Sequence, residues 1–243
     1  MTVVTLRLTV LAVLGALLVS ATALAQTPRP QPAPTCPTPG PVDNSIEALR
    51  KRANAGDAAA QFNLALMYDN GRDVPQDFGE AAAWYRKAAE QGHAAAQYNL
   101  GVSYGVGQGV PQDDDQTVVW FRKAAEQGHA FAQNNLAMMY IAGRGVPQDA
   151  VEAGAWYRKA AEQGDAFAQH NLAEMYYNGQ GVPQDVVEEY KWRDLAAAYA
   201  SAANQEQYAD LRDATAERMT PQQLTDAQNL SREWQAAFEQ RTK

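Results

Sequence analysis

Residues 57–92 read DAAAQFNLALMYDNGRDVPQDFGEAAAWYRKAAEQG, and the same pattern returns three more times without an insertion. Gly56, Gly92, Gly128 and Gly164 stand 36 residues apart. Leu64, Leu100, Leu136 and Leu172 keep the same step, as do Tyr68, Tyr104, Tyr140 and Tyr176, and Trp84, Trp120, Trp156 and Trp192. A strict period of this length marks a repeat array of supersecondary units. Each unit divides into two helices. Ala60, Leu64 and Tyr68 are spaced four apart and so share one face of the first. Gly71, Gly107, Gly143 and Gly179 stand where a left-handed residue closes a helix. The second helix opens on Asp77, Asp113, Asp149 or Asp185, with Glu80, Gln116, Glu152 or Glu188 three residues on, a capping signature. Inside it Trp84 provides bulk and Ala88 permits close approach. Neither helix buries its apolar face alone, so stacked hairpins must supply the core.

Working outward, residues 45–56 predict an N-terminal capping helix, and the four repeats span 57–92, 93–128, 129–164 and 165–200. After Trp192 the pattern departs. Arg193-Asp194-Leu195 replaces Tyr-Arg-Lys, and no glycine stands at position 200. The helix is expected to run on to about Ala203, with a further segment to Arg218. Thr220-Pro221-Gln222-Gln223 then reads as N-cap, first-turn proline and capping-box partner. Leu224, Ala227, Leu230, Trp234 and Phe238 give this last helix an apolar face, and residues 201–243 are expected to cap the array.

At the other end, Arg7 precedes an apolar run from Leu8 to Val19 and the small residues Ala23-Leu24-Ala25, as in a cleavable signal peptide over residues 1–25. The run is shorter than a membrane span needs, so no stable membrane insertion is expected after cleavage. A periplasmic or secreted location follows as the expectation. Seven prolines between residues 28 and 41 make residues 26–44 an extended linker. Cys36, the only cysteine, lies within it and can form no internal disulfide.

The 243 residues carry a formal net charge of −8, which removal of Arg7 makes one unit more negative. Nucleic acid, which demands basic surface, is excluded as a partner. Catalytic signatures are missing too. The sequence contains no Gly-rich loop with Lys and Ser/Thr and no HExxH. None of Ser45, Ser103, Ser201 and Ser231 has Lys three residues later. His93 and His129 stand where the other units have Asp57 and Asp165, at a helix start. That interchange reads as a solvated position beside the cap, and no further ligand set completes a metal site. No catalytic residue, cofactor or metal is expected.

The motif A-x-A-Q-x-N-L-x-x-x-Y, a glycine turn with V-P-Q-D, and W-Y/F-R-K-A-A-E-Q-G resembles the Sel-1-like repeat, a relative of the tetratricopeptide repeat with a longer inter-helix turn. The resemblance implies an all-α, right-handed α-solenoid whose first helices line a concave groove. It also implies the work of an adaptor, scaffold or regulatory subunit that binds protein, commonly in bacterial envelopes. Some relatives with this repeat are cysteine-rich, with a disulfide in each unit, and act on β-lactams; the solitary Cys36 departs from that pattern.

Positions that change between copies are the natural place to look for ligand reading. Gln61 and Asn63 recur with Leu64 and Tyr68 and are assigned to structure. Ala59, Phe62, Leu66 and Asp69 do not recur. They become Phe131, Asn134, Met138 and Ile141 in the third repeat, and Phe167, His170, Glu174 and Tyr177 in the fourth. Spacings of three, four and three predict one face, with apolar anchors and a few orienting polar groups. These eight residues are the expected concave docking groove for a protein or peptide, in a cell-wall or membrane-sensor complex of undetermined oligomeric state. Competing expectations are a hydrolase acting on cell-wall material or β-lactams, and a glycan-binding structural subunit.

Overall fold

The computed structural model of the chain describes residues 46–242. The expected signal peptide over 1–25, the whole expected linker over 26–44 and Cys36 lie outside the described residues. Within them are eleven helices and no strand, the all-α solenoid class read from the repeats. In chain order these are α1 (Ile46–Asn54), α2 (Ala58–Asn70), α3 (Phe78–Glu90), α4 (Ala94–Val106), α5 (Asp114–Glu126) and α6 (Ala130–Ala142). They are followed by α7 (Ala150–Ala161), α8 (Ala166–Asn178), α9 (Val186–Tyr199), α10 (Ala202–Ala216) and α11 (Pro221–Arg241). No helix among the described residues is long and apolar enough to cross a membrane.

The chain forms two compact units, the first ending at Trp120 and the second starting at Phe121, within α5. In the first, α2 packs on α1 and α3, and α3 on α4. Ala65, Ala81, Tyr85, Ala88, Leu100 and Trp120 form its main core. In the second, α7 packs on α6 and α8, and α9 packs on α8, α10 and α11. Its core joins Leu172, Met175, Tyr157, Trp192 and Leu195. Alanines at the contact points let helices approach while the aromatics fill the space between them.

Recurring glutamine, arginine and tyrosine side chains make recurring bonds. Gln61 Nε2 donates to the Ala53 carbonyl eight residues back at 3.0 Å, and Gln97, Gln133 and Gln169 repeat this with Ala89, Ala125 and Ala161. In the connector, Gln76 Nε2 donates to the Asp69 carbonyl at 2.8 Å, and Gln112, Gln148 and Gln184 do the same one repeat apart. The connector bonds cap helix-end carbonyls, and the bonds of Gln61, Gln97, Gln133 and Gln169 add a second donor to carbonyls that also accept from Gly56, Gly92, Gly128 and Gly164. Arg50, Arg86, Arg122 and Arg158 each donate to the hydroxyl of the tyrosine eighteen residues on.

The caps follow the sequence. Asp57 and Asp165 accept from the amides of Ala60 and Ala168. His93 and His129 are N-caps themselves rather than residues beside one: their Nδ1 atoms accept from Ala96 and Ala132 at 3.2 and 3.3 Å. An imidazole in that role carries no proton on Nδ1. Thr220 and Gln223 form the reciprocal capping box at the start of α11.

One boundary differs from expectation. The helix carrying Trp192 ends at Tyr199, not near Ala203, and Ser201 is the N-cap of a new helix. Ser201 lies 36 residues beyond Asp165, so α10 is the first helix of a fifth repeat in perfect register. Tyr208 stands where the other repeats have leucine. The missing glycine at position 200 concealed this, because Ala200 makes the break with an extended backbone (φ −65°, ψ 151°).

Candidate functional site

The eight expected groove residues fall into two groups, and the dividing line is what the rest of the chain does to them. Those of the third repeat project from α6. Phe131 is partly exposed, its ring 6.1 Å from that of the N-cap His129. Met138 and Ile141 are partly exposed and rest against the core of the second unit. Asn134 is not part of an open surface: it is 3% exposed and accepts from Asn171 Nδ2 of α8 at 3.2 Å, tying the two first helices together. Phe167, on α8, is partly exposed.

The other three residues of the fourth repeat are contacted by side chains of the chain itself. The His170 ring stacks on Tyr208 of α10 at 4.6 Å between centroids, 14° from parallel. Glu174 pairs with Arg193 of α9, Oε1 to Nη2, at 2.8 Å. Tyr177 keeps 46% of its surface, but the guanidinium groups of Arg218 and Arg193 lie 4.9 and 5.7 Å from its ring centre. An aromatic face beside a guanidinium is held by its quadrupole. The expectation of an open groove is therefore corrected at His170, which α10 covers, while Glu174 is engaged by Arg193 and Tyr177 stays exposed beside two arginines.

Variation between repeats turns out to be paired variation. Where the first repeat has Asp69, the Tyr85 hydroxyl donates to its carboxylate at 3.0 Å. In the fourth, the same two positions are Tyr177 and Arg193, now a cation–π contact. Phe62 stacks on His93 at 4.6 Å, while His170, its counterpart in the fourth repeat, stacks on Tyr208, at a different position of the following helix. A residue that changes together with its neighbour reports packing, not ligand reading. Phe131, Met138, Ile141 and Phe167 keep partly exposed apolar surface outside these pairings, and Tyr177 stays exposed within its own.

Sequence reasoning missed the charged seam beneath α10. Glu189, with 2% of its side chain exposed, accepts from Thr215 Oγ1 at 2.9 Å and from Arg218 at 2.6 Å, with Arg193 Nε 3.1 Å away. Arg193 Nη1 also reaches the Leu211 carbonyl at 3.3 Å. A signal was available: Glu189 and Arg193 stand where the first three repeats have Ala, Thr or Ala and Tyr, Phe or Tyr. A charged pair at two core positions of one repeat alone marks a junction with something different.

Burial holds the His170 imidazole down at about 4, with the Arg193 charge adding to the effect. Tyr208 stacks on the ring, and Arg193 is the charge that acts on it. The unfolded chain takes up this proton near pH 6.5, before the folded one does. The neutral ring thus contributes stability that is complete above pH 6.5 and lost as pH falls toward 4. Glu174 and Asp165 are pushed upward by burial and act in the opposite sense. A comparison isolates the histidine: the melting temperature of His170→Asn should change less between pH 6.5 and 4 than that of the wild type. Parallel pH profiles would remove His170 as the cause.

In comparison with known proteins, the Sel1 repeat family model matches residues 58–93, 94–129, 130–165 and 166–192. Among solved structures, a protective antigen present in uropathogenic Escherichia coli strains, displaying an SLR fold, is 38% identical. The match covers 77% of this chain and 40% of that one, with a TM-score of 0.69. A Sel1 repeat protein from Oxalobacter formigenes is likewise 38% identical, over 71% of this chain and 50% of its own, with a TM-score of 0.61. The chain thus spans half or less of the length of these two relatives. No curated protein matches it.

Proposed function

Since this chain belongs to the Sel1 repeat family, we propose that it is a non-enzymatic protein–protein interaction module of the bacterial envelope, an adaptor, scaffold or regulatory subunit that captures a protein or peptide. Sel1 repeats generally mediate protein–protein interaction, and their fold is typically a non-catalytic scaffold. The observation that carries the reading here is the partly exposed apolar strip Phe131, Met138, Ile141 and Phe167 on α6 and α8, two first helices joined through Asn134 and Asn171. Rigid neighbouring helices lose little entropy when a segment docks on them. Large aromatic anchors on such a face are the side chains that contribute most to binding.

The envelope setting rests on the signal-like stretch Leu8–Val19 and the small residues before Gln26. Fractionation of cells expressing the full chain should recover a periplasmic or secreted form beginning near Gln26.

Photo-crosslinkers placed at Phe131 and Phe167 should trap one protein partner, identified by mass spectrometry. The double change Phe131→Ala/Phe167→Ala should weaken its binding by at least about tenfold without changing helicity. Trapping of the partner from Val151 instead, which is 68% exposed on α7, would move the docking surface to the second helices. Sustained turnover of a chromogenic β-lactam by the purified chain would overturn the non-enzymatic reading.

A further inference from the structure

The four positions read as a groove on α6 and α8 recur once more, on α10. Thirty-six residues beyond Phe167, His170, Glu174 and Tyr177 stand Ala203, Glu206, Asp210 and Asp213, and all four are exposed. Spacings of three, four and three put them on one face of the helix, opposite the buried Tyr208 and Thr215. The stack of Tyr208 on His170 sets α10 directly beside α8. Tyr177, 46% exposed, carries aromatic surface to the end of α8. At these positions the side chains are mainly apolar on α6, mixed on α8 and acidic on α10.

Folding does not account for these acids. Glu206 and Asp210, and again Asp213 and Glu217, are like charges four residues apart, an arrangement that weakens a helix. Asp213 stands in the last turn and Glu217 is the C-cap, where the helix dipole disfavours negative charge. The arginines of this region are already answered: Arg193 by Glu174 and Glu189, Arg218 by Glu189, and Arg212 by Asp194 and Asp213. α6 and α8 contain no Lys or Arg. The acidic edge therefore borders an apolar strip that brings no positive charge of its own.

Resting on the docking role of the Phe131–Phe167 strip, we propose that its partner is an extended segment carrying Lys or Arg beside its apolar anchors, and that Glu206 and Asp210 receive that charge. Neighbouring packed helices lie roughly 8–10 Å apart, and an extended chain advances about 3.3 Å per residue. A basic residue about three positions from the anchor that meets α8 therefore reaches α10, with the anchor for α6 about three positions to the other side. Opposite charge at one edge of an apolar patch fixes the direction in which the segment lies and rejects acidic competitors.

The test is selection of a random peptide library displayed on phage by the full chain. Wild-type protein should enrich peptides in which Lys or Arg stands about three positions from an aromatic or aliphatic residue, at least about threefold over the unselected library. A fluorescein-labelled copy of the most enriched peptide should lose at least about fivefold in affinity for Glu206→Gln/Asp210→Asn. Both positions are exposed, so circular dichroism should show an unchanged fold. Selection on Glu206→Lys/Asp210→Lys should enrich Asp and Glu in place of Lys and Arg. Apolar enrichment without a basic neighbour, or basic enrichment that survives both α10 variants, would overturn the inference and leave the strip intact. Selection that Phe131→Ala/Phe167→Ala does not alter, or no enrichment at all, would remove the docking strip and the inference with it.

Discussion

Replacing Glu189 by alanine should destabilise the second unit by about 3–5 kcal/mol, the range for removing one partner from a buried ion network. The carboxylate has 2% of its side chain exposed and is the common acceptor for Thr215 and Arg218, with Arg193 beside it. Its loss strands the Arg193 guanidinium, itself 6% exposed in the side chain, with Glu174 as its remaining carboxylate. Arg218 is half-exposed and can turn to water, so the cost falls on Arg193. Urea denaturation followed by circular dichroism measures the change. The companion double variant Glu189→Met/Arg193→Met should recover most of the loss, since a well-packed apolar pair often replaces a buried ion pair at little cost. A single variant within about 1 kcal/mol of wild type would show that the network is not a stabilising element.

The second large effect is expected at Gly109, where alanine should cost roughly 2–4 kcal/mol in the first unit. Gly109 has φ +76°, and a β-carbon there would sit 1.9 Å from the Phe78 carbonyl oxygen. Because that neighbour is backbone, it cannot swing aside as a flexible side chain would. Gly181 repeats the arrangement, with the Ala150 carbonyl 2.2 Å from the added carbon. Gly56→Ala is the control: it has φ +96° but nothing within 4 Å, so its cost should stay near the ~1 kcal/mol of positive φ alone. Thermal melts of the two variants separate strain from clash. Equal losses at positions 56 and 109 would mean that the connector simply shifts away from Phe78.

Gly109 also shows how far sequence carries. Glycine recurs at this position in three repeats out of four, and Asp73, which stands there in the first, also takes a positive φ, 61°. The carbonyl lying against the turn was invisible, because it belongs to the preceding repeat. The same division runs through the candidate site. Periodicity located helices, caps and the positions that vary, since these depend on residues close in sequence. Whether a varying position is open depends on what packs over it. Phe167 kept apolar surface, whereas His170, three residues on, was covered by a helix whose register only the 36-residue step from Asp165 to Ser201 could have revealed. Core polarity was the other missed cue: Glu189 and Arg193 break an apolar pattern together and in complementary sense.

The switch from Arg–Tyr pairs to Asp194–Arg212 has an evolutionary corollary. A duplicated segment inserted between existing copies would meet an arginine on one side and a tyrosine hydroxyl on the other, and both junctions would close. A copy inserted after the fourth would bring its tyrosine against Asp194 and displace α10, whose Arg212 is matched to that aspartate. The junctions between the four repeats are therefore compatible with internal duplication, whereas the junction of α9 with α10 is not.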